Sequence, residues 1–195
     1  MVWAFATAGV NADKLYEMMA NEAVQRQLQG FRPQEVSNMV WAFAKAGVNA
    51  DELYEVVANE AVLRQVQGFK PQELSNIVWA FATAGVHADK LYEMVANEAI
   101  QQQLQGFSPQ CLSNMVWAFA KAGVHADELY EVVANEAVQR QVRGFNPQGL
   151  SNMVWAFTTA NIYHVQLFEE IKLVFSQFPV EKKTNKKVLS SLQKR

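Results

Sequence analysis

The hydrophobic positions of this chain recur in blocks of constant length. A phrase beginning Val-Trp-Ala-Phe returns every 38 residues without insertion or deletion, at Val2, Val40, Val78, Val116 and Val154. Between the copies the apolar residues follow helical spacing, and no alternating strand pattern interrupts them. An invariant period of this length is typical of proteins built by stacking one small structural unit.

The first half of each unit predicts a helix, which we call helix A. In the unit 11–48, Asp13 is a suitable N-cap, and Lys14 to Leu28 contains neither Gly nor Pro. Gly30 then supplies a left-handed stop. Spacing along this helix places five apolar residues on one broad face: Leu15, Tyr16, Met19, Ala20 and Ala23.

The second half of each unit predicts another helix, helix B. Pro33 suits a first helical position, because its missing N–H costs nothing there, and Gln34 to Ala46 continues to the stop at Gly47. Each unit is therefore a helical hairpin. The fold class predicted is all-α, a right-handed α-solenoid of stacked two-helix hairpins with a 38-residue period.

The period divides the chain into four parts. Residues 1–10 predict a partial repeat that contains only a second helix, which leads us to expect a fragment of a longer array. Beyond the repeats we expect a degenerate terminal helix over 163–180 and a basic tail over 181–195. The complete hairpins span 11–162, as the units 11–48, 49–86, 87–124 and 125–162.

Helix B separates into an apolar face and a polar stripe. The residues predicted to point inward are Val36, Met39, Val40, Phe43 and Ala44. The opposite stripe carries Gln34, Asn38, Trp41 and Lys45, and most of it recurs in the later units. The candidate binding residues of this stripe are Asn38, Asn76, Asn114, Asn152, Trp41, Trp79, Trp117, Trp155, Lys45 and Lys121.

These candidates have two interpretations. Regularly spaced Trp residues beside Asn and Lys could stack bases while the polar groups contact base edges or phosphates. The alternative for Trp, which we favour, is that it fills the groove between successive hairpins. The alternative for Asn is a structural ladder that bonds neighbouring backbone.

One position at the start of helix B varies among otherwise similar units. It is occupied by Arg32, Lys70, Ser108 and Asn146. At a helix start the backbone N–H groups can meet an anion, so Arg32 and Lys70 are candidate RNA contacts. Neutral variation at exposed sites is the alternative interpretation.

Composition argues against several functional classes. His87 and His125 share a position with Asn11 and Asn49, so a turn is their expected role, and Cys111 stands without a neighbouring base. We find no phosphate-binding glycine loop, metal cluster or catalytic triad, and we predict no enzymatic activity, metal or cofactor. No apolar run is long enough to span a bilayer, so no membrane association is expected.

The charges are unevenly distributed. From Met1 to Tyr163 there are 10 Lys/Arg against 16 Asp/Glu, whereas His164 onward carries 7 against 3. An acidic array opposes strong phosphate-driven affinity, because that affinity comes from neutralising phosphates with cations.

The phrase Phe-Lys-Pro-Gln-Glu-Leu-Ser-Asn-Ile-Val-Trp-Ala-Phe-Ala, from Phe69 to Ala82, together with the period, resembles the octotricopeptide repeat family. The resemblance covers Val2 to about Ala160. It implies a sequence-selective single-stranded RNA-binding solenoid in the chloroplast or mitochondrion, acting on organellar mRNA stabilisation, processing or translation. The alternative is a protein–protein interaction scaffold that binds no nucleic acid.

Overall fold

The computed structural model describes residues 2–10 and 12–177 and contains ten helices and no strand in those ranges. The predicted all-α solenoid of stacked hairpins is confirmed, while its handedness stays a prediction. The predicted basic tail over 181–195 lies outside the described residues. The helices are α1 (Val2–Ala8), α2 (Asp13–Gln25), α3 (Pro33–Ala46), α4 (Asp51–Leu63), α5 (Pro71–Ala84), α6 (Asp89–Gln101), α7 (Pro109–Ala122), α8 (Asp127–Gln139), α9 (Pro147–Thr159) and α10 (Val165–Gln177).

The odd-numbered helices are the B helices and the even-numbered ones are the A helices. Successive B helices lie against one another along most of their length, whereas successive A helices approach at few positions. Close approach is possible because small side chains occupy the contact, and each of them is fully buried: Ala42, Ala80, Ala118 and Ala156. The B helices therefore contact one another more extensively than the A helices do.

Helix B matches its prediction. It begins at Pro33, ends at Ala46, and is closed by Gly47, whose φ of 68° is left-handed and favours glycine. The five residues predicted to point inward are all buried: Val36, Met39, Val40, Phe43 and Ala44.

The predicted bounds of helix A are wrong at both ends. Asp13 is the first helical residue and Ala12 is the N-cap, without a side-chain cap bond. The helix ends at Gln25 rather than Leu28, because Gln27 and Leu28 have φ values of 47° and 57°. Two consecutive left-handed residues break the helical ladder, and they turn the Leu28 side chain into the core, where it is fully buried.

A tyrosine on each of the first four A helices, α2, α4, α6 and α8, joins two successive B helices. The hydroxyl of Tyr92 donates to the carbonyl of Val78 at 3.1 Å, and its ring packs edge-on against Phe119 with centroids 5.0 Å apart. The same pair of contacts recurs in each hairpin, with hydroxyl–carbonyl distances from 3.0 to 3.4 Å, at Tyr16, Tyr54 and Tyr130. We call this arrangement the tyrosine bridge.

The last helix, α10, is an A helix that follows α9. Its N-cap is His164, whose Nδ1 accepts a hydrogen bond from the Leu167 amide at 3.2 Å. Asn161 replaces the stopping glycine and adopts the same left-handed conformation, with a φ of 59°. Asparagine tolerates this conformation better than most side chains, so the turn is retained.

We predict that Tyr92→Phe lowers the free energy of unfolding by about 1 kcal/mol, because it removes one buried hydrogen bond and keeps the ring. Chemical denaturation followed by circular dichroism measures this. Tyr163→Phe, at an exposed position, is the matched control and should change little. Equal stability of Tyr92→Phe and the parent chain would contradict the bridge.

We also predict that the array loses stability in alkali. Burial raises the pKa values of Tyr54, Tyr92 and Tyr130 well above the usual range. Between about pH 10 and the raised value, only the unfolded chain releases these protons, so the free energy of unfolding falls as pH rises. Unfolding and tyrosinate absorbance should therefore appear together in a pH titration; tyrosinate formation by the folded array near pH 10 would contradict this.

Candidate nucleic-acid interface

The exposed side of helix B presents a stripe of four residues, about one per turn, three of them polar and one a tryptophan. Gln34, Asn38, Trp41 and Lys45 follow one another along α3, spaced by four, three and four residues. Because the B helices stack side by side, equivalent residues form rows that run across the array. We call the resulting surface the B face. Its Trp row comprises Trp3, Trp41, Trp79, Trp117 and Trp155, and its Asn row comprises Asn38, Asn76, Asn114 and Asn152.

The Trp row is a continuous ladder of indole rings. Neighbouring ring centroids lie 6.1 to 6.4 Å apart, with planes tilted by 30° to 38°. The three inner rings are half-buried, while Trp3 and Trp155 at the ends are 50% and 42% exposed. Each ring therefore contacts the next hairpin, as the favoured interpretation requires, and also keeps part of its surface accessible.

The ladder spacing limits how a base could use these rings. A base stacked between two rings needs about twice the 3.4 Å separation of stacked bases, or about 6.8 Å. The observed centroids are closer than that and the rings are tilted. Bases can therefore lie on the exposed ring surfaces without insertion, but they cannot intercalate unless the hairpins separate.

The Asn row lies one turn before the Trp row. Its four side chains are half-buried, and none of them makes a hydrogen bond to any residue of the described ranges. A structural ladder would require the Asn side chains to bond to neighbouring backbone, and these bonds are not present in the described ranges. Each amide retains two donors and an acceptor for a ligand.

The Asn row also lines a groove between the starts of α7 and α9. The groove has a volume of about 320 Å³ and its side chains are uncharged. It is open partly because Gly149 has no side chain, and a Cβ there would lie 2.9 Å from the Ser113 hydroxyl. Two of its amides lie on the stripe that the sequence predicts, four residues before the Asn row, but were not among the candidate residues: Gln110 and Gln148.

The variable position at the start of helix B has a structural explanation. In α3 the Glu35 carboxylate accepts from the Arg32 amide and from the Arg32 guanidinium, both at 2.9 Å. This hydrogen bond and the adjacent charge raise the pKa of Arg32, and the bond from Arg32 lowers the pKa of Glu35. In α5 the Glu73 carboxylate accepts from the Lys70 amide at 2.8 Å.

The other two B helices use a different cap at the same place. The Ser108 hydroxyl accepts from the Cys111 amide at 3.2 Å, and the Asn146 side chain accepts from the Gly149 amide at 2.7 Å. The N-cap position is thus basic when the residue three positions later is Glu. When that Glu is absent, the N-cap is Ser or Asn, whose side chain caps the helix itself. Helix capping accounts for the variation, and it already uses backbone N–H groups that an anion would need.

Two arginines that also vary in sequence have structural partners. Arg64 donates to Glu60 at 2.7 Å and to the Phe31 carbonyl of the preceding hairpin at 3.3 Å. Arg140 repeats this with Glu136 and Phe107. These side chains tie successive hairpins together on the A side, away from the rows described above.

The array separates its charges between its two sides. Between Met1 and Tyr163, 14 of the 16 acidic residues lie on A helices, and the other two are Glu35 and Glu73. The B helices and their N-caps carry four cations against these two acids: Arg32, Lys45, Lys70 and Lys121. Lys45 and Lys121 are exposed and lie one turn beyond the Trp row. The B face is therefore weakly basic although the array is acidic.

The remaining candidates offer little chemistry. His87 and His125 are exposed in the turns between hairpins. Cys111 is buried with its sulfur 3.1 Å from the Ser108 hydroxyl. Within the described part of the chain, no cluster of three or more His, Cys, Asp or Glu could hold a metal ion. None of the described helices combines the length and apolar composition needed to cross a bilayer.

We predict that the two capping modes respond differently to alanine. Asn146→Ala should lower the free energy of unfolding by about 1 kcal/mol, because it removes the cap acceptor. Lys70→Ala should change it by less than about 0.5 kcal/mol, because Glu73 bonds to the backbone amide, which alanine keeps. Chemical denaturation measures both, and equal losses would contradict the assignment.

Comparison with known proteins identifies the family of this chain. The family model of the RNA-editing substrate-binding complex 6 protein matches residues 1–176, which include every described helix except the last residue of α10. No curated protein matches the chain. A match over this much of the chain shows common membership, and the chain belongs to the RNA-editing substrate-binding complex 6 protein family.

Proposed function

We propose that this protein binds single-stranded RNA along the B face. The observation that carries the proposal is the row of half-buried, unbonded Asn amides beside the accessible Trp ladder. Amides that have no protein partner suit the edges of unpaired bases, and indole surfaces suit their faces. The periodic rows favour a linear polymer over a compact ligand.

The geometry favours a few nucleotides bound weakly. Each hairpin offers one Asn and one Trp, so four hairpins and the additional Trp3 would contact about four or five nucleotides. Stacking on an aromatic ring contributes about 1–3 kcal/mol per base, but these rings expose only part of their surface. The repetition of identical pairs suggests that selectivity arises from positions that vary, such as the neutral groove between α7 and α9.

The charge distribution supports binding on one side only. Lys45 and Lys121 flank the Trp row, while most of the carboxylates between Met1 and Tyr163 lie on the A helices. Two exposed lysines neutralise few phosphates, so the salt dependence of binding should be shallow. The basic tail over 181–195 could add affinity that does not depend on sequence.

The biological setting that we propose is more specific than the family itself. The family description concerns an RNA-editing substrate-binding complex, which supports a role in RNA processing. The resemblance to octotricopeptide repeats adds an organellar transcript as ligand, in the chloroplast or mitochondrion, with mRNA stabilisation or translation as related roles. We propose a binding protein that is not an enzyme and that uses no cofactor.

A protein–protein scaffold is the second candidate function. It is favoured by the family, whose description names a component of a complex, and by the acidic A side, which suits protein ligands better than phosphates. In that case the B face would bind no RNA.

The test is a titration of the chain with a randomised single-stranded RNA pool at two salt concentrations, with and without the residues after Pro179. We expect sequence-dependent retention that survives removal of the tail. Replacing three Asn residues of the B face with Ala should weaken retention by about tenfold with little change in melting temperature, because these side chains make no protein hydrogen bond. The variant is Asn38→Ala, Asn76→Ala and Asn114→Ala.

The matched control carries the same three changes on the A helices, at Asn21, Asn59 and Asn97, and should retain RNA normally. Retention that disappears entirely with the tail, or that is equal in both triple variants, would refute binding by the B face and favour the scaffold.

A further inference from the structure

The opposite side of the array carries grooves that the proposed RNA interface does not use. Because successive A helices approach at few positions, open channels remain between them. The groove between α2 and α4 has a volume of about 670 Å³, and the one between α4 and α6 about 580 Å³. We call them the first and second A grooves.

The first A groove has an apolar floor and an acidic rim. Ala20, Val24 and Val48 form part of the floor. The rim carries four carboxylates and no cation, from Asp13, Glu17, Asp51 and Glu52. Such a surface suits a long cationic side chain, whose methylene stem covers apolar surface while its charged end reaches the rim.

The array itself shows what fits such a groove. The N-caps of the A helices are Ala12, Ala50, Ala88 and Ala126, and the residue one period later is His164. The His164 side chain enters the space between α8 and α10, where it is only 14% exposed. Its Nε2 lies 3.3 Å from the side-chain amide oxygen, Oδ1, of Asn135 and 4.0 Å from the Glu131 carboxylate.

Hydrogen bonding defines the role of this imidazole. Because Nδ1 accepts from the Leu167 amide, Nε2 carries the proton and donates toward Asn135 and Glu131. Glu17 and Asn21 occupy the equivalent positions in the first A groove, and Glu55 and Asn59 occupy them in the second. In those grooves the N-cap residue of the next A helix is an alanine, Ala50 or Ala88, so no side chain occupies the space beside the Glu–Asn pair.

We propose that the A grooves bind the basic side chains of an extended polypeptide segment, one side chain per hairpin. A guanidinium or ammonium group replaces the imidazole of His164, donates to the Glu–Asn pair, and is attracted by the surrounding carboxylates. A phosphate-bearing ligand is disfavoured by those carboxylates. The first A groove is the stronger site, since Lys90 and His87 lie on the rim of the second.

The helix spacing sets the spacing of the ligand. Closely packed helices lie about 8–10 Å apart, which is a lower bound for the less closely packed A helices, and an extended chain advances about 3.3 Å per residue. A basic residue at every third or fourth position therefore matches one groove per hairpin. A third equivalent pair, Glu93 and Asn97, extends the series to three positions.

The test uses a fluorescent peptide, Arg-Gly-Ser-Arg-Gly-Ser-Arg, titrated with the full chain and followed by anisotropy. Replacing Glu17 and Glu55 with Gln should weaken binding about 3- to 10-fold, as expected for two partly exposed ion pairs. The matched control, Glu22→Gln with Glu98→Gln, removes the same charge outside the grooves and should have a smaller effect.

Two further variants test the grooves by filling and opening them. Ala50→His with Ala88→His places imidazoles where His164 lies in the last groove and should weaken peptide binding by more than the Glu→Gln pair does, with melting temperature unchanged or raised. His164→Ala opens the last groove and should tighten binding about twofold.

Absence of peptide binding, equal loss in both Glu→Gln pairs, or unchanged binding after Ala50→His with Ala88→His would overturn the proposal. The B-face Asn variant should bind the peptide normally, so the RNA proposal and this one fail separately.

Discussion

The tyrosine bridge is the contact on which the rest of the array depends. Each bridge joins the carbonyl of one B helix to the aromatic ring of the next through a single buried side chain on the intervening A helix. The tyrosine hydroxyl loses its water on folding and therefore needs the carbonyl as a hydrogen-bond acceptor. Only one displacement of a hairpin relative to the preceding one brings the two groups together. An equal offset at every step places the Asn amides and the indole rings in straight rows. The surface chemistry is therefore a consequence of buried geometry.

Helix B and its rows were predictable from sequence, whereas helix A was predicted less accurately. Pro33 and Gly47 mark their helix ends through backbone restrictions that belong to the residues themselves. The turn after helix A depends on Gln27 and Leu28, which adopt left-handed conformations only because burial of Leu28 offsets the local cost. No local propensity signals such a turn. The same limit applies to His164, whose role depends on side chains about 30 residues earlier.

The net charge of the array conceals how its charges are distributed between its two sides. The acidic total of the array suggested weak attraction for phosphate, but the structure collects most carboxylates on the A helices. Charges on opposite sides of a helical layer are separated by about the 10 Å over which salt screens them, so each side interacts with its own ligands. Two surfaces of different character thus arise from one repeated sequence. This is the physical basis for considering both a polynucleotide and a polypeptide as ligands.

The exchange of caps at the start of helix B has an evolutionary consequence. Glu35 accepts from the Arg32 amide, and Asn146 accepts from the Gly149 amide, so each arrangement satisfies one amide at the helix start, and substitution of one pair for the other leaves the helix intact. The local charge pattern nevertheless changes from zwitterionic to neutral. Duplicated hairpins can therefore diverge in what they select without first losing stability, provided that the two positions change together.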